Sequence, residues 1–330
     1  MKKKNIIKKL LSVVLSAATV FSLLTLPAHA IIPGEDAYDY VGIVQYDCAS
    51  GVSIPLDIEQ NYMFSYEEQP IGENNEILPQ GIIGTDDRVA VDPRTTPFSG
   101  IVLIIQLLDT DGDDQVDNFS SGTGFMVTED IMMTALHCIY PNPPDEEDCI
   151  IDTIIYHGVT IDIEEELGRA PDDSSGTRME ILNLLENNYR GYHIQNAWFD
   201  TTFYVDEETK YDWCLARLET ELNGYSFPIS SSITRGMIIE VTGYPAEPAD
   251  KMFGMYKKSG TVVGVASTGE VHHNMDTTTG QSGSPIYSPA TLGGSAPYTV
   301  CAIHSRKNNS TTNAACPITS TIIALLNSIS

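Results

Sequence analysis

The run Gly280-Gln281-Ser282-Gly283-Ser284-Pro285 sets a serine between two glycines. A tight turn of this kind aims backbone N–H groups at one spot, as the stabilisation of a developing oxyanion requires, and the donors expected here are those of Gly280 and Ser282. A serine hydroxyl is a poor nucleophile until a base takes its proton, and the base needs a buried carboxylate to fix its tautomer. Thr134-Ala135-Leu136-His137-Cys138 supplies an imidazole just after an apolar strand, and Tyr211-Asp212-Trp213-Cys214 an acid at the head of another. His137, Asp212 and Ser282 are therefore the expected catalytic set. Elsewhere the Gly-x-Ser-x-Gly pattern forms an elbow that opens a helix. Pro285-Ile286-Tyr287-Ser288-Pro289 reads as a strand instead.

The elements that must position these residues are short β-branched runs between turns, at 101–108, 122–127, 131–134, 150–155, 202–205, 237–241, 261–265 and 298–303. Even spacing of short strands predicts an all-β barrel or sandwich. Two stretches break it: 177–185 carries helical spacing, and 317–329 reads as a closing helix capped by Thr319 or Ser320. The acidic turn from Asp109 to Asp117 suits either a solvated hairpin or a hard cation such as calcium, but it lacks the glycine and glutamate places of an EF-hand.

The first 30 residues combine lysines, an apolar run and Ala28-His29-Ala30, and read as a secretory signal rather than a transmembrane anchor. Residues 31–80 are acidic, turn-rich and weakly patterned, as expected of a pro-segment ending at an exposed processing site. A formal net charge of −27 over 330 residues argues against nucleic acid as a partner. The expected product is a secreted, extracellular monomer acting on protein or peptide substrates, away from the membrane once the signal is removed, with no metal and no other cofactor. Of six cysteines none forms a C-x-x-C pair. In an exported chain this predicts disulfides, Cys138 with Cys149 and Cys301 with Cys316, leaving Cys214 a buried thiol and Cys48 in the removed segment.

The segments 122–127 and 134–138, Tyr211-Asp212, Gly243-Tyr244-Pro245 and Met275 to Pro285 together resemble the bacterial glutamyl endopeptidases, over about residues 81–330. The order His, Asp, Ser agrees with chymotrypsin-like proteases. Residues 81–88 also resemble the mature amino terminus of that family. The resemblance implies two six-stranded antiparallel β-barrels: 81–225 carrying His137 and Asp212, with a partly helical insertion between them, and 226–330 carrying Ser282 and a C-terminal helix. It implies an acyl-enzyme mechanism with cleavage after Glu, less readily Asp. His304 would bind the substrate carboxylate, with Thr277 as hydroxyl donor and Ser305 beside them. Asp276 keeps a rival reading open, because it stands where trypsin-like enzymes carry the acid that binds Arg or Lys. A non-catalytic protease-like binding protein is a further alternative, though no triad member is missing. Where the family tends to small residues after the pocket histidine, this chain has Arg306-Lys307. Finally, chymotrypsin pairs its freed amino terminus with an Asp before the nucleophile, and this chain has Gln281 there. The new terminus, at Gly81 or Ile82, is therefore expected at the substrate pocket instead, and the uncut precursor is expected to be nearly inactive.

Overall fold

The structure is a computed structural model and describes residues 42–56, 58, 81–113, 115–139, 149–172, 174–203, 208–246, 253–289 and 296–330. The expected signal, most of the expected pro-segment and the side chain of Cys149 lie outside the described residues.

Two closed six-stranded antiparallel barrels make up the body. In the first, β4 (Ile101–Asp109), β5 (Asn118–Met126), β6 (Ile131–Thr134), β9 (Cys214–Leu218), β8 (Gly191–Asp200) and β7 (Cys149–His157) pair in that order and close on β4. In the second the ring is β10 (Ile238–Gly243), β13 (Pro285–Ser288), β14 (Thr299–Lys307), β15 (Asn313–Pro317), β12 (Val271–His273) and β11 (Tyr256–Val265). A two-residue strand β3 (Val89–Ala90) lies against β11. The expected all-β double barrel is the observed fold. β4 is apolar almost throughout and buried on both faces, because one side lines the barrel and the other is covered. The larger hydrophobic cluster runs from this barrel across the interface to Tyr244, Tyr287 and Ile318, while a smaller one, including Val241, Val262, Met275 and Ile286, fills the second barrel.

Among the described residues three helices are attached: α1 (Ile163–Leu167), α2 (Ser175–Asn188) and α3 (Ser320–Ile329). The first two lie between β7 and β8, where an insertion was expected. Thr319 caps α3 by accepting the Ile322 N–H, and Ile322 and Leu325 join the larger cluster. The C-terminal helix thus returns to the first barrel, where Arg217 of β9 reaches the carbonyl of Ile329.

The expected disulfides are absent among the described residues: Cys48, Cys138, Cys214, Cys301 and Cys316 are all free and buried. Cys301 and Cys316 are on neighbouring strands, but Cys301 is the extra residue where the β13–β14 register shifts, so its thiol enters the second-barrel core. Cys316, opposite Ile303, faces the other cluster. Nearness in sequence had suggested a bridge that the bulge forbids. Cys138 fills the space beside Gly122 of β5, whose missing Cβ would lie 2.8 Å from the sulfur. Cys214 is the buried thiol expected.

Part of the segment expected to be removed is built into the fold. β1 (Ile43–Asp47) and β2 (Val52–Pro55) form a hairpin, and β1 pairs with β8 from Ile43 opposite Asp200 to Asp47 opposite Asn196. Ile43, Val44 and Tyr46 belong to the larger core cluster. Burying each such side chain contributes about 2 kcal/mol. In the full chain, Val44→Asp therefore costs about 3 kcal/mol and lowers the thermal midpoint by roughly 6–12 °C. An unchanged midpoint by calorimetry would show that the hairpin adds nothing to the barrel.

Candidate active site

The register of the first barrel decides where its two candidate residues meet. Thr134 pairs with Cys214, so the chain leaving β6 and the chain entering β9 emerge side by side at one end. His137 sits in a 3-10 turn just after β6, and Asp212 closes another just before β9. The His137 Nδ1 lies 2.8 Å from Asp212 Oδ2, and the His137 backbone N–H donates to Oδ1 at 3.1 Å.

Asp212 is fully buried and takes a third donor from the other barrel, the Ser305 hydroxyl at 2.5 Å. Ser305 is the residue that the β14–β15 register skips, between His304 opposite Ala315 and Arg306 opposite Ala314. The bulge turns its side chain toward Asp212. Sequence reasoning had placed Ser305 at the substrate pocket; its hydroxyl is committed to Asp212. Burial by itself pushes the Asp212 carboxyl up, but the His137 charge and these hydrogen bonds outweigh it and hold the carboxyl below its ordinary value. Burial likewise opposes charging of His137, and the Asp212 charge prevails, holding the imidazole well above its ordinary value. With Nδ1 donating to the carboxylate, Nε2 is the basic atom.

Ser282 comes from the second barrel, three residues before β13. Its hydroxyl donates to the Ser305 carbonyl at 3.1 Å, and its own carbonyl accepts the Thr123 N–H of β5 at 2.8 Å. Ser305 therefore touches both Ser282 and Asp212. The turn around Ser282 demands its glycines. Gly280 and Gly283 have φ of 89° and 82°, and a Cβ on Gly283 would lie 2.0 Å from the Thr123 carbonyl oxygen. The N–H groups of Gln281, Gly283 and Ser284 bond to the carbonyls of Thr278, His304 and Gln281.

Beside this turn is a polar wall, two of whose residues the sequence reading did not assign. The His273 Nδ1 accepts the Met275 backbone N–H at 3.3 Å, and its Nε2 lies 3.2 Å from the His304 Nδ1. Burial, reinforced by His272, lowers His273 to about 3, so it is neutral. A backbone N–H only donates; the one ring proton of His273 must sit on Nε2 and point at His304. His304, also held neutral by burial and then by His273 and His137, accepts at Nδ1 and carries its proton on Nε2. That Nε2 is buried without a partner. Thr277 Oγ1 accepts from the Asn313 amide at 3.0 Å, which leaves the threonine O–H as a donor. Asn313 stands opposite His273 on β15, and no spacing rule in the sequence marks either residue. The adjacent His272 faces the other way, toward Glu270 and Asn308, as alternation along a strand requires.

Asp276 is buried as well, but its Oδ1 accepts the Ile83 N–H at 2.6 Å and its Oδ2 lies 3.9 Å from Lys258 Nζ. The stretch from residue 81 runs along the wall: the Asn313 amide donates to the Gly81 carbonyl at 3.2 Å. Arg306 pairs with Glu270 at 3.5 Å, and Lys307 lies against Gly81. In the acidic hairpin, Asp109, Asp111 and Asp117 bring carboxylate oxygens within 4.8 Å of one another. Asp109 there accepts the N–H groups of Asp111 and Gly112, and Asp117 accepts from Thr110, which is how a tight turn of this composition holds itself.

No family model matches the chain. Over 220 residues it is 24% identical to the glutamyl endopeptidase of Bacillus licheniformis, covering 63% of this chain and 55% of that protein. It is 26% identical over 220 residues to a Bacillus subtilis protein named extracellular metalloprotease, covering 64% of this chain and 58% of that protein. The chain spans about half the length of these curated relatives. A solved Glu endopeptidase in complex with MPD superimposes with a TM-score of 0.52 at 19% identity, covering 75% of this chain and 98% of the other. The chain thus resembles the bacterial glutamyl endopeptidases and has the chymotrypsin-type fold. Among the described residues the one cluster of side chains that could hold a metal ion is the acidic hairpin of Asp109, Asp111 and Asp117.

The electrostatics give a pH dependence. With His137 as the expected base for Ser282, its raised folded-state value predicts that reaction of Ser282 with a fluorophosphonate rises with pH through a midpoint above the ordinary imidazole value of about 6.5. Asp212→Asn removes the charge that raises it and moves the midpoint down. A wild-type midpoint below the ordinary value would refute this electrostatic account.

Proposed function

We propose that the protein is a secreted serine endopeptidase that cleaves peptide bonds preferentially after Glu, and less readily after Asp. Its resemblance to the glutamyl endopeptidases, the double-barrel fold and the geometry around Ser282 support this reading. Ser282 Oγ attacks the substrate carbonyl while His137 Nε2 takes its proton, and the imidazolium so formed is stabilised by the Asp212 carboxylate. The oxyanion is received by the N–H groups of Gly280 and Ser282. His137 then protonates the leaving amine, and water, activated by the same imidazole, hydrolyses the acyl-enzyme.

The observation that carries the specificity is the Nε2–H of His304, which is buried and makes no hydrogen bond within the protein, together with the buried Thr277 hydroxyl held by Asn313. A buried donor without an acceptor costs about 1–3 kcal/mol. A substrate carboxylate supplies the acceptor, and its charge makes each such hydrogen bond stronger than a neutral acceptor would. Asp276, the acid of the rival reading, accepts the Ile83 N–H and lies 3.9 Å from the Lys258 ammonium, which opposes its use for a basic side chain. The position of Gly81 beside Asn313 supports the expectation that cleavage before residue 81 or 82 delivers an ammonium group to the same pocket. Cleavage there follows export under the leader of residues 1–30, and the product acts as an extracellular monomer on proteins and peptides.

The reading is tested with peptides differing only in the residue before the cleaved bond. Glu is expected to exceed Gln, Lys and Phe, and Ser282→Ala and His137→Ala to abolish turnover, with Asp212→Asn costing on the order of 10⁴-fold. His304→Ala removes most of the Glu preference. His273→Leu, which releases the tautomer of His304, reduces the preference while leaving Phe cleavage unchanged. Preference for Arg would assign the pocket to Asp276 instead, and a folded chain that neither turns over peptides nor labels at Ser282 would be a binding protein.

A further inference from the structure

The side chain of Gln281, immediately before Ser282, is completely buried. Its Oε1 accepts the Thr278 N–H at 3.0 Å while its own N–H donates to the Thr278 carbonyl at 3.0 Å, closing residues 278–281 into a ring. A second donor reaches the same Oε1 from far along the chain: Arg88 Nη1, at 3.0 Å, which also bonds the Thr278 hydroxyl at 2.7 Å. The Arg88 side chain is only 3% exposed. Its remaining edge is held by Asp86, which receives Nε at 3.0 Å and Nη2 at 2.8 Å, and its guanidinium lies 5.8 Å from the centre of the Tyr256 ring. A buried cation is thus neutralised at the rim by Asp86 and spends its other edge on two neutral acceptors of the turn that carries the nucleophile.

This arrangement explains why the residue before the nucleophile is an amide. An aspartate there would give Arg88 a second carboxylate, leaving an excess negative charge in a dry site. The glutamine accepts from the guanidinium without adding charge, and the bidentate fork to Asp86 fixes the direction from which Arg88 approaches.

We propose that Arg88 is a positioning residue for the oxyanion turn: by fixing the Gln281 carbonyl it holds the backbone N–H groups on either side, those of Gly280 and Ser282, in the orientation that receives the oxyanion. The proposal rests on the reading of Ser282 as nucleophile. It separates two roles within residues 81–88. The pocket end, where Gly81 and Ile83 meet Asn313 and Asp276, changes when the chain is cut. The turn end, at Arg88, is already in place in the uncut chain, so the oxyanion turn is ordered before processing and independently of it.

The test compares full-length wild type, Arg88→Ala and Arg88→Lys by the rate of fluorophosphonate labelling at Ser282, and the chains starting at Gly81 by peptide kinetics. Arg88→Ala is expected to lower labelling and kcat by about 100-fold, the scale of a lost oxyanion donor, with KM and the ratio of Glu to Gln cleavage unchanged. Arg88→Lys, which keeps the charge but not the fork, remains impaired. Added guanidinium restores part of the Arg88→Ala rate, and sodium at the same concentration does not. The proposal is overturned if Arg88→Ala labels at the wild-type rate, or if its loss matches a fall in the folded fraction by circular dichroism and guanidinium has no effect. Failure of wild type itself to label at Ser282 would overturn the nucleophile reading, and this proposal with it.

Discussion

The two barrels are locked around one buried carboxylate. Moving a carboxylate out of water costs several kcal/mol unless its oxygens are fully satisfied, and Asp212 receives two donors from its own barrel and a third, the Ser305 hydroxyl, from the other. Neither barrel satisfies it alone. Docking the barrels in any other register would leave the charge short of a donor, so the interaction that sets the base at His137 also specifies how the halves meet. Ser305 extends the constraint to Ser282 through its carbonyl. One bulged residue thereby connects Asp212 and Ser282, and the hydrophobic contact of Tyr244, Tyr287 and Ile318 with the first barrel's cluster supplies the adhesion around it.

Charge is used differently on either side of Ser282. At His137 the protein tolerates an ionised partner and raises the basicity of the ring. At His304 it does the reverse, burying two imidazoles so that both are neutral and letting a single backbone N–H, that of Met275, dictate where both protons lie. Two neutral imidazoles present a buried donor without a permanent buried cation, whose desolvation the fold would have to bear. The cost is directional: if His273 lost its orientation, His304 would be free to turn its proton inward.

The fold and the main residues were legible because they are local or paired by short-range rules. A strand-like run between turns, a serine between glycines, and a histidine or an acid at a strand end are each signalled by a few neighbouring residues, and the helices at 177–185 and 317–329 carry their own periodicity. The parts that were not legible depend on register. Cys301 and Cys316 looked like a bridge until a bulge placed their thiols in different cores. Ser305 looked like a pocket residue until another bulge aimed it at Asp212. His273, Asn313 and Arg88 matter through partners 31 to 193 positions away, and composition contains no trace of such pairings.

The stretch from Ile43 to Arg88 shows why sequence position is a poor guide to what a segment does. Its first part looked dispensable, yet β1 supplies a strand and buried side chains to the first barrel. Its last part was expected to bring a new terminus to the pocket, and it also bonds the turn before Ser282 through Arg88, beside the contacts of Gly81 and Ile83 with Asn313 and Asp276. These attachments fall on opposite barrels, so the chain between residues 58 and 81 must connect them. Neither anchor depends on that connection, because β1 is held by its ladder with β8 and the later residues by polar contacts of their own.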